Sequence, residues 1–378
     1  MEWLTGWNYR KKIGIKGVGG AGTGYQILLK VGESSNASGY DFHLEGHAEK
    51  FPIGKNDSGD IRFVSSDQKS LFPIWVEKVE GTAPNRTAYV WIKILDSLDN
   101  DVDIYCYYGN ANADNVSNGD DVFEFFDDFD RDIVKSVFNT YSKWYSYDAW
   151  CSNQSTYNYP FQQNGCLYVR TDGGAGGLRI ASKNPINVSK ACIVARVYSF
   201  HPGWNPMIRI GFSDRTPIRR NGYCDTDASL KYKDINVSSN TWNIVNYVGQ
   251  DLQGWYPFVA NWDNELHYDW VIVRTYIDPE PAFHYVSSEQ IPPTIVFGVA
   301  CDKYGRPIIG KEVKIFVFDK DNGKLLGQTL TDHYGKWECQ VPVSSGTKVV
   351  TLLILEGEYY GDVDIVGAGF HVTQEMES

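Results

Sequence analysis

Four carboxylates carry the sharpest chemistry in this chain. Asp127, Asp128 and Asp130 fall in the run Phe123-Glu-Phe-Phe-Asp-Asp-Phe-Asp130, and Asp269 falls in Tyr268-Asp-Trp-Val-Ile-Val-Arg274. Hard cations take several oxygens at once, so carboxylates meeting at one place would suit a structural calcium ion. The first and last strands of a jelly roll are often neighbours, which would bring these acids together, with Asp120 and Asp121 just upstream. The bland reading is solvated turn acids, or ion pairs with Arg131 and Arg274.

Catalytic constellations are not found. A glycoside hydrolase needs two carboxylates about 5–10 Å apart across a sugar bond. A Glu-x-Asp-x-x-Glu string would place its acids on one strand face, and the nearest approach to it is Asp263-Asn264-Glu265, which lacks the third acid. His43-Leu-Glu-Gly-His47 has the wrong order for a helical zinc site, and Gly46 disfavours the helix. No Gly-x-Ser-x-Gly elbow occurs, and the glycine-rich stretches at 17–24 and 173–177 lack the Lys-Ser/Thr of a phosphate loop. The sequence therefore reads as a non-enzyme that requires no cofactor, with calcium the one metal its residues suggest.

Aromatic rings offer a different chemistry, stacking on sugars. Trp144, Tyr145, Trp150, Trp204, Trp255, Tyr256 and Trp262 sit among Gly, Asn and Pro, where recognition loops are built; Trp255 and Trp262 are the candidates chosen for glycan binding. Trp242 and Trp270 lie inside strand patterns and read as core. Seven sequons, at Asn36, Asn56, Asn85, Asn115, Asn153, Asn187 and Asn236, suit a glycosylated outer surface, and chance enrichment in an Asn- and Ser-rich chain explains them as well. None of the seven cysteines forms a Cys-x-x-Cys pair; Cys151 with Cys166, and Cys301 with Cys339, are the candidate disulfides.

Composition sets the frame for these residues. The chain has 378 residues, 25 Tyr, 12 Trp, 36 Gly and a formal net charge of −12. Acidic balance without clustered Lys and Arg argues against nucleic acid or an anionic membrane as partner. No apolar run is long enough to span a membrane, and the first residues carry no secretion-signal pattern. A virion protein assembled in the cytoplasm and released by lysis would fit both facts.

Short alternating runs separated by Gly, Asn, Asp and Pro predict an all-β protein of three consecutive β-sandwiches. The expected domains are 1–118, 119–290 and 294–375, with the stiff linker Ile291-Pro292-Pro293-Thr294 before the last. Trp7-x-Tyr9-Arg10-Lys11, Asp60-Ile61-Arg62-Phe63, Trp91-Ile92-Lys93 and Tyr107-Tyr108-Gly109-Asn110 together resemble an uncharacterised β-sandwich domain of archaeal, bacterial and some viral surface proteins. That family has no assigned activity. Phe126-Asp127-Asp128-Phe129 is similar to the opening of the concanavalin-A-like (laminin-G-like) jelly roll that often follows it. In such relatives a structural calcium often joins the first and last strands, which the resemblance extends to Asp127, Asp128, Asp130 and Asp269. Residues 294–375 resemble a carboxypeptidase-regulatory-like (transthyretin-like) sandwich, with tight turns at Asp302-Lys-Tyr-Gly305 and Asp332-His-Tyr-Gly335.

Scaffold modules without a reaction centre imply a structural or adhesion protein on a virion exterior, such as a capsid decoration, turret or tail fibre. Its expected partners are copies of itself, other virion or surface proteins, and host-surface glycans. A cellular adhesin or S-layer-associated protein, extracellular or on the cell surface, is the first alternative; a glycoside hydrolase of concanavalin-A-like fold is the second.

Overall fold

The structure, a computed structural model, describes residues 3–148, 159–170, 178–200, 207–215, 229–261, 265–292, 294–300, 306–310, 312–321, 323–341, 348–355 and 358–366. It is all β, as the residue pattern predicts. Helix is confined to single turns at Gly119–Val122, Lys135–Val137 and Phe138–Tyr141 among the described residues. No helix among them is long and apolar enough to cross a membrane.

The first seven strands are β1 (Tyr9–Lys16), β2 (Tyr25–Gly32), β3 (Phe42–His43), β4 (Arg62–Val64), β5 (Ile74–Glu80), β6 (Thr87–Ile94) and β7 (Val102–Tyr108). Two sheets, β3-β2-β6-β5 and one containing β1-β7-β4, face each other. Between them Ile13, Ile15, Ile27, Leu29, Val31, Val90, Ile92 and Ile104 make a dry core. Alternate β-branched and aliphatic residues on pleated strands give this pattern directly.

The second sandwich contains β8 (Phe125–Asp127), β9 (Trp144–Asp148), β10 (Tyr159–Gln163), β11 (Cys166–Arg170), β12 (Leu178–Ser182), β13 (Lys190–Ser199), β14 (Met207–Ser213), β15 (Leu230–Asn236), β16 (Trp242–Gln250), β17 (Tyr256–Asn261) and β18 (Glu265–Thr275). One sheet runs β10-β11-β18-β13-β16, with β8 pairing a further stretch of β18; the other runs β15-β14-β17-β12-β9. Their inner faces enclose Trp144, Ile180, Ile193, Val197, Ile210, Phe212, Val259, Tyr268 and Val271.

The chain then turns back. Strand β19 (Ala282–Val286) pairs antiparallel with β1 of the first sandwich, and Arg10 and Gln290 exchange two backbone hydrogen bonds of 3.0 and 2.8 Å. Tyr108 donates to Glu289 at 2.7 Å and Tyr25 to Glu280 at 2.9 Å. The first two sandwiches also share a core between them: Trp75 and Trp91 from one, Val122, Phe123 and Phe126 from the junction, and Cys192, Val194, Trp270 and Ile272 from the other. The first two of the expected consecutive domains are thus joined by buried apolar contact. Phe123 and Phe126 sit between the two slabs, because the outer face of the second sandwich is apolar where the first covers it.

The last module has β20 (Thr294–Val299), β21 (Lys314–Asp319), β22 (Leu325–Leu330), β23 (Lys336–Val341), β24 (Lys348–Leu355) and β25 (Glu358–Val366). These form β20-β23 and β22-β21-β24-β25 around Val313, Ile315, Val317, Trp337 and Val341. The Asp332–Gly335 turn forms: the Asp332 carboxylate accepts from the backbone N–H of Tyr334 and Lys336, and Gly335 has φ +76. The companion turn at 302–305 lies outside the described residues.

Candidate functional site

A register slip in β18 sets up the most distinctive surface. Arg196 of β13 pairs with Trp270, and the next residue, Val197, pairs with Tyr268. Asp269 is therefore the extra residue of a β-bulge, a device that re-aims side chains. Tyr268 and Val271 both face the core. Trp270 turns outward into the shared core, and Asp269 turns outward to two cations. One Asp269 oxygen accepts from Lys55 of the first sandwich at 2.7 Å, and the other accepts from Arg196.

Beyond the area that the first sandwich covers, the outer face of this sheet is a ridge of rings. Phe161 and Tyr168 stack with centroids 4.6 Å apart. Tyr168 lies 3.9 Å from His267, and His267 lies 4.3 Å from Phe200. Phe200 lies 4.7 Å from Tyr198, which meets Trp242 edge-on at 5.5 Å. The Arg196 guanidinium sits 4.5 Å over Trp242, a cation–π contact. Phe200 is 45% exposed, Trp242 38% and Ile244 57%. Trp242 is thus a surface residue, which corrects its reading as core. On β16 only Val245 points fully inward, so the alternate residues Trp242 and Ile244 face water.

Polar groups are interleaved with the rings. His267 Nε2 lies 3.0 Å from Glu265. Burial holds the imidazole below its usual titration range, with Glu265 opposing that shift. Glu77, buried where the first sandwich meets this sheet, accepts from Trp91 at 2.9 Å and is pushed up by burial.

The four predicted calcium ligands are not pooled. Asp127 turns inward: its two oxygens accept from the Trp144 indole N–H at 2.6 Å and the Phe129 N–H at 3.1 Å. Burial raises its carboxyl to about 6, against the pull of Lys143. Asp128 accepts from the Asn56 amide, and Asp130 is exposed. Asp269 belongs to Lys55 and Arg196. Among the described residues no group of three His, Cys, Asp or Glu side chains could hold a metal ion. Asp127, Asp128 and Asp130 instead line a polar cleft of about 540 Å³ at the junction, with Asp120, Arg131 and Lys143. Lys143 donates to Asp120 at 2.6 Å there.

Other expected site residues fall elsewhere. Trp255 is half-buried against the second core with the Lys231 ammonium 4.6 Å over its ring, and Trp262 lies outside the described residues. Trp144, read as a loop residue, is fully buried. Cys166 and Cys339 are free thiols, with Cys339 pointing into the third core; their expected partners, Cys151 and Cys301, lie outside the described residues. Asn36, Asn85, Asn187 and Asn236 are exposed, and Asn153 lies outside the described residues. Asn56 is structural: it accepts from Trp75 at 2.6 Å, donates to Asp128, and holds φ +65. Asn115 spends its amide on the Asn56 carbonyl at 2.7 Å. The sequence reading does not single out the ridge, although its signal is present in the alternation of Arg196, Tyr198 and Phe200.

Residues 57–147 match the family described as Domain of unknown function (DUF2341). The matched stretch holds three of the four first-domain motifs and the Phe126–Phe129 motif, and it runs from the first sandwich into β9 of the second. No curated protein matches the chain. Among solved structures, one titled "CBM4 structure and function" is similar at 13% identity and TM-score 0.29, over 39% of this chain and 97% of that one. The adhesin domain of Epf from Streptococcus pyogenes is similar at 10% identity and TM-score 0.23, over 64% of this chain and 90% of that one. The N-terminal CBM22-1-CBM22-2 tandem domain of Paenibacillus barcinonensis Xyn10C is similar at 8% identity and TM-score 0.27, over 72% and 80%. Likenesses of this size identify no shared ligand.

Proposed function

We propose that this chain is a non-catalytic adhesion protein that holds carbohydrate on the aromatic ridge of its second sandwich. The carrying observation is the continuous run of rings from Phe161 to Trp242 on a solvent-facing sheet. Rings provide apolar contact for sugar C–H groups, and the Arg196–Asp269 and Glu265–His267 pairs set donors and acceptors beside them for hydroxyls. A mainly apolar protein interface would be poorer in such charged groups at its centre.

Three of the four acids lining the junction cleft support a non-catalytic role. A glycosidase needs one carboxyl free to deliver a proton and a second facing the sugar. Asp127 has a raised pKa, but structural N–H donors occupy both of its oxygens. Asp128 and Asp120 are likewise engaged, by Asn56 and Lys143.

Display on an outer surface, on a virion or a cell, belongs to the same proposal, and exposed sequons at Asn36, Asn85, Asn187 and Asn236 suit it. Immunogold labelling of intact particles and cells tests the location. A glycan array probed with the whole chain and with Trp242→Ala tests the binding. Retention by the native chain and loss by the variant, at an unchanged unfolding midpoint, is expected. Equal retention by both removes the ridge from the proposal.

A further inference from the structure

The ridge crosses its sheet from edge to edge. Phe161 stands on β10, Tyr168 on β11, His267 on β18, Tyr198 on β13 and Trp242 on β16, one ring per strand in spatial order. Strands about 4.8 Å apart make this a track of about 19 Å. Among the described residues β10 and β16 are the sheet's outer strands, with one bridge from Ile133 to Gln162 outside β10, so the sheet itself raises no wall at either end. A blind pocket grips a chain end, whereas an open track grips a chain's interior.

Two cations described on the track, Arg196 and Lys55, are already answered. Arg196, the guanidinium beside Trp242, is paired with Asp269, and Lys55 at the margin is paired with the same carboxylate at 2.7 Å. An acidic glycan would have to break these pairs to gain a counter-charge, and would meet Glu265 beside His267. Hydroxyls can bond to the paired groups without separating them.

We infer that the track takes the interior of an extended, uncharged polysaccharide, laid across the strands from Phe161 to Trp242. The inference rests on the carbohydrate-binding reading above and names its substrate class.

Calorimetric titration of the intact chain tests it. The probes are linear neutral gluco-, xylo- and manno-oligosaccharides, from disaccharide to hexasaccharide, with native and reduced chain ends, and polygalacturonate as the acidic arm. The best series is expected to gain about tenfold or more in affinity from disaccharide to hexasaccharide, about 1.4 kcal/mol. Reduction of the chain end should change nothing, and polygalacturonate should bind more weakly. Phe161→Ala and Trp242→Ala, at opposite ends of the track, should each weaken the hexasaccharide severalfold, with unfolding midpoints reporting that both variants fold. A disaccharide that binds as tightly as the hexasaccharide, dependence on the chain end, or preference for polygalacturonate overturns the inference and leaves carbohydrate binding standing. Failure of every glycan to bind sinks the carbohydrate reading, and the inference with it.

Discussion

Lys55 of the first sandwich donates to Asp269 of the second at 2.7 Å, and the same carboxylate holds Arg196 over Trp242. The first sandwich thereby reaches the edge of the ridge. Replacing Lys55 with Met removes its hydrogen bond to the Asp269 carboxylate and two longer ones, to the Asp128 and Asp269 carbonyls at 3.4 and 3.5 Å, but leaves Asp269 paired with Arg196. A loss of about 1–2 kcal/mol is expected, read from urea unfolding. Larger damage would mean that Lys55 carries more of the junction than its geometry implies.

Trp75 is the keystone of the shared core. It is fully buried, meets Phe126, Phe123 and Trp270 edge-on at 5.0, 5.7 and 6.0 Å, and donates to Asn56. Trp75→Ala should cost about 3–5 kcal/mol. In scanning calorimetry the native pair of sandwiches should melt together, and the variant should melt in separated steps. A single, merely shifted transition in the variant would show that the β19 clasp alone couples them.

Asp127 gives a pH signature. Its folded carboxyl, raised to about 6 by burial, lies above the unfolded value, so the neutral acid is the form the fold favours. Its contribution is fully present below about pH 4 and is lost as pH rises through about 6. Ionising it in the fold costs about 2–3 kcal/mol relative to the unfolded chain. Asp127→Asn should therefore gain on the native chain as pH rises from 4 to 7, whatever its absolute stability. A difference in unfolding midpoint that stays flat across that window would contradict the assignment.

Strand positions were readable because β-branched and aromatic residues alternate between glycine-rich breaks. Which face of a strand meets water was less so. Trp242-Asn-Ile-Val-Asn-Tyr-Val248 is apolar at both parities, and only tertiary contact decides that Val245 goes in and Trp242 out. The acids of Phe126-Asp127-Asp128-Phe129 looked alike in sequence, yet one meets Trp144 and the next meets Asn56, partners 17 and 72 residues away. The bulge at Asp269 has no local mark such as glycine or proline. The shared core is hidden for the same reason: Trp75 and Trp270 belong to different sandwiches and meet only in the assembled fold.

The sequons divide by what their amides already do. Expression in a glycosylating host followed by peptide mass spectrometry should find glycan among Asn36, Asn85, Asn187 and Asn236 and none on Asn56 or Asn115. A glycan on Asn56 would be incompatible with its bonds to Trp75 and Asp128.

Hydrogen-exchange mapping of the native chain, with and without the tightest-binding oligosaccharide, tests the central claim most directly. Protection concentrated on residues 159–170, 194–200, 242–246 and 265–269 is the result expected. Protection confined to the junction cleft, to the loops at the ends of the second sandwich or to the last module would contradict it.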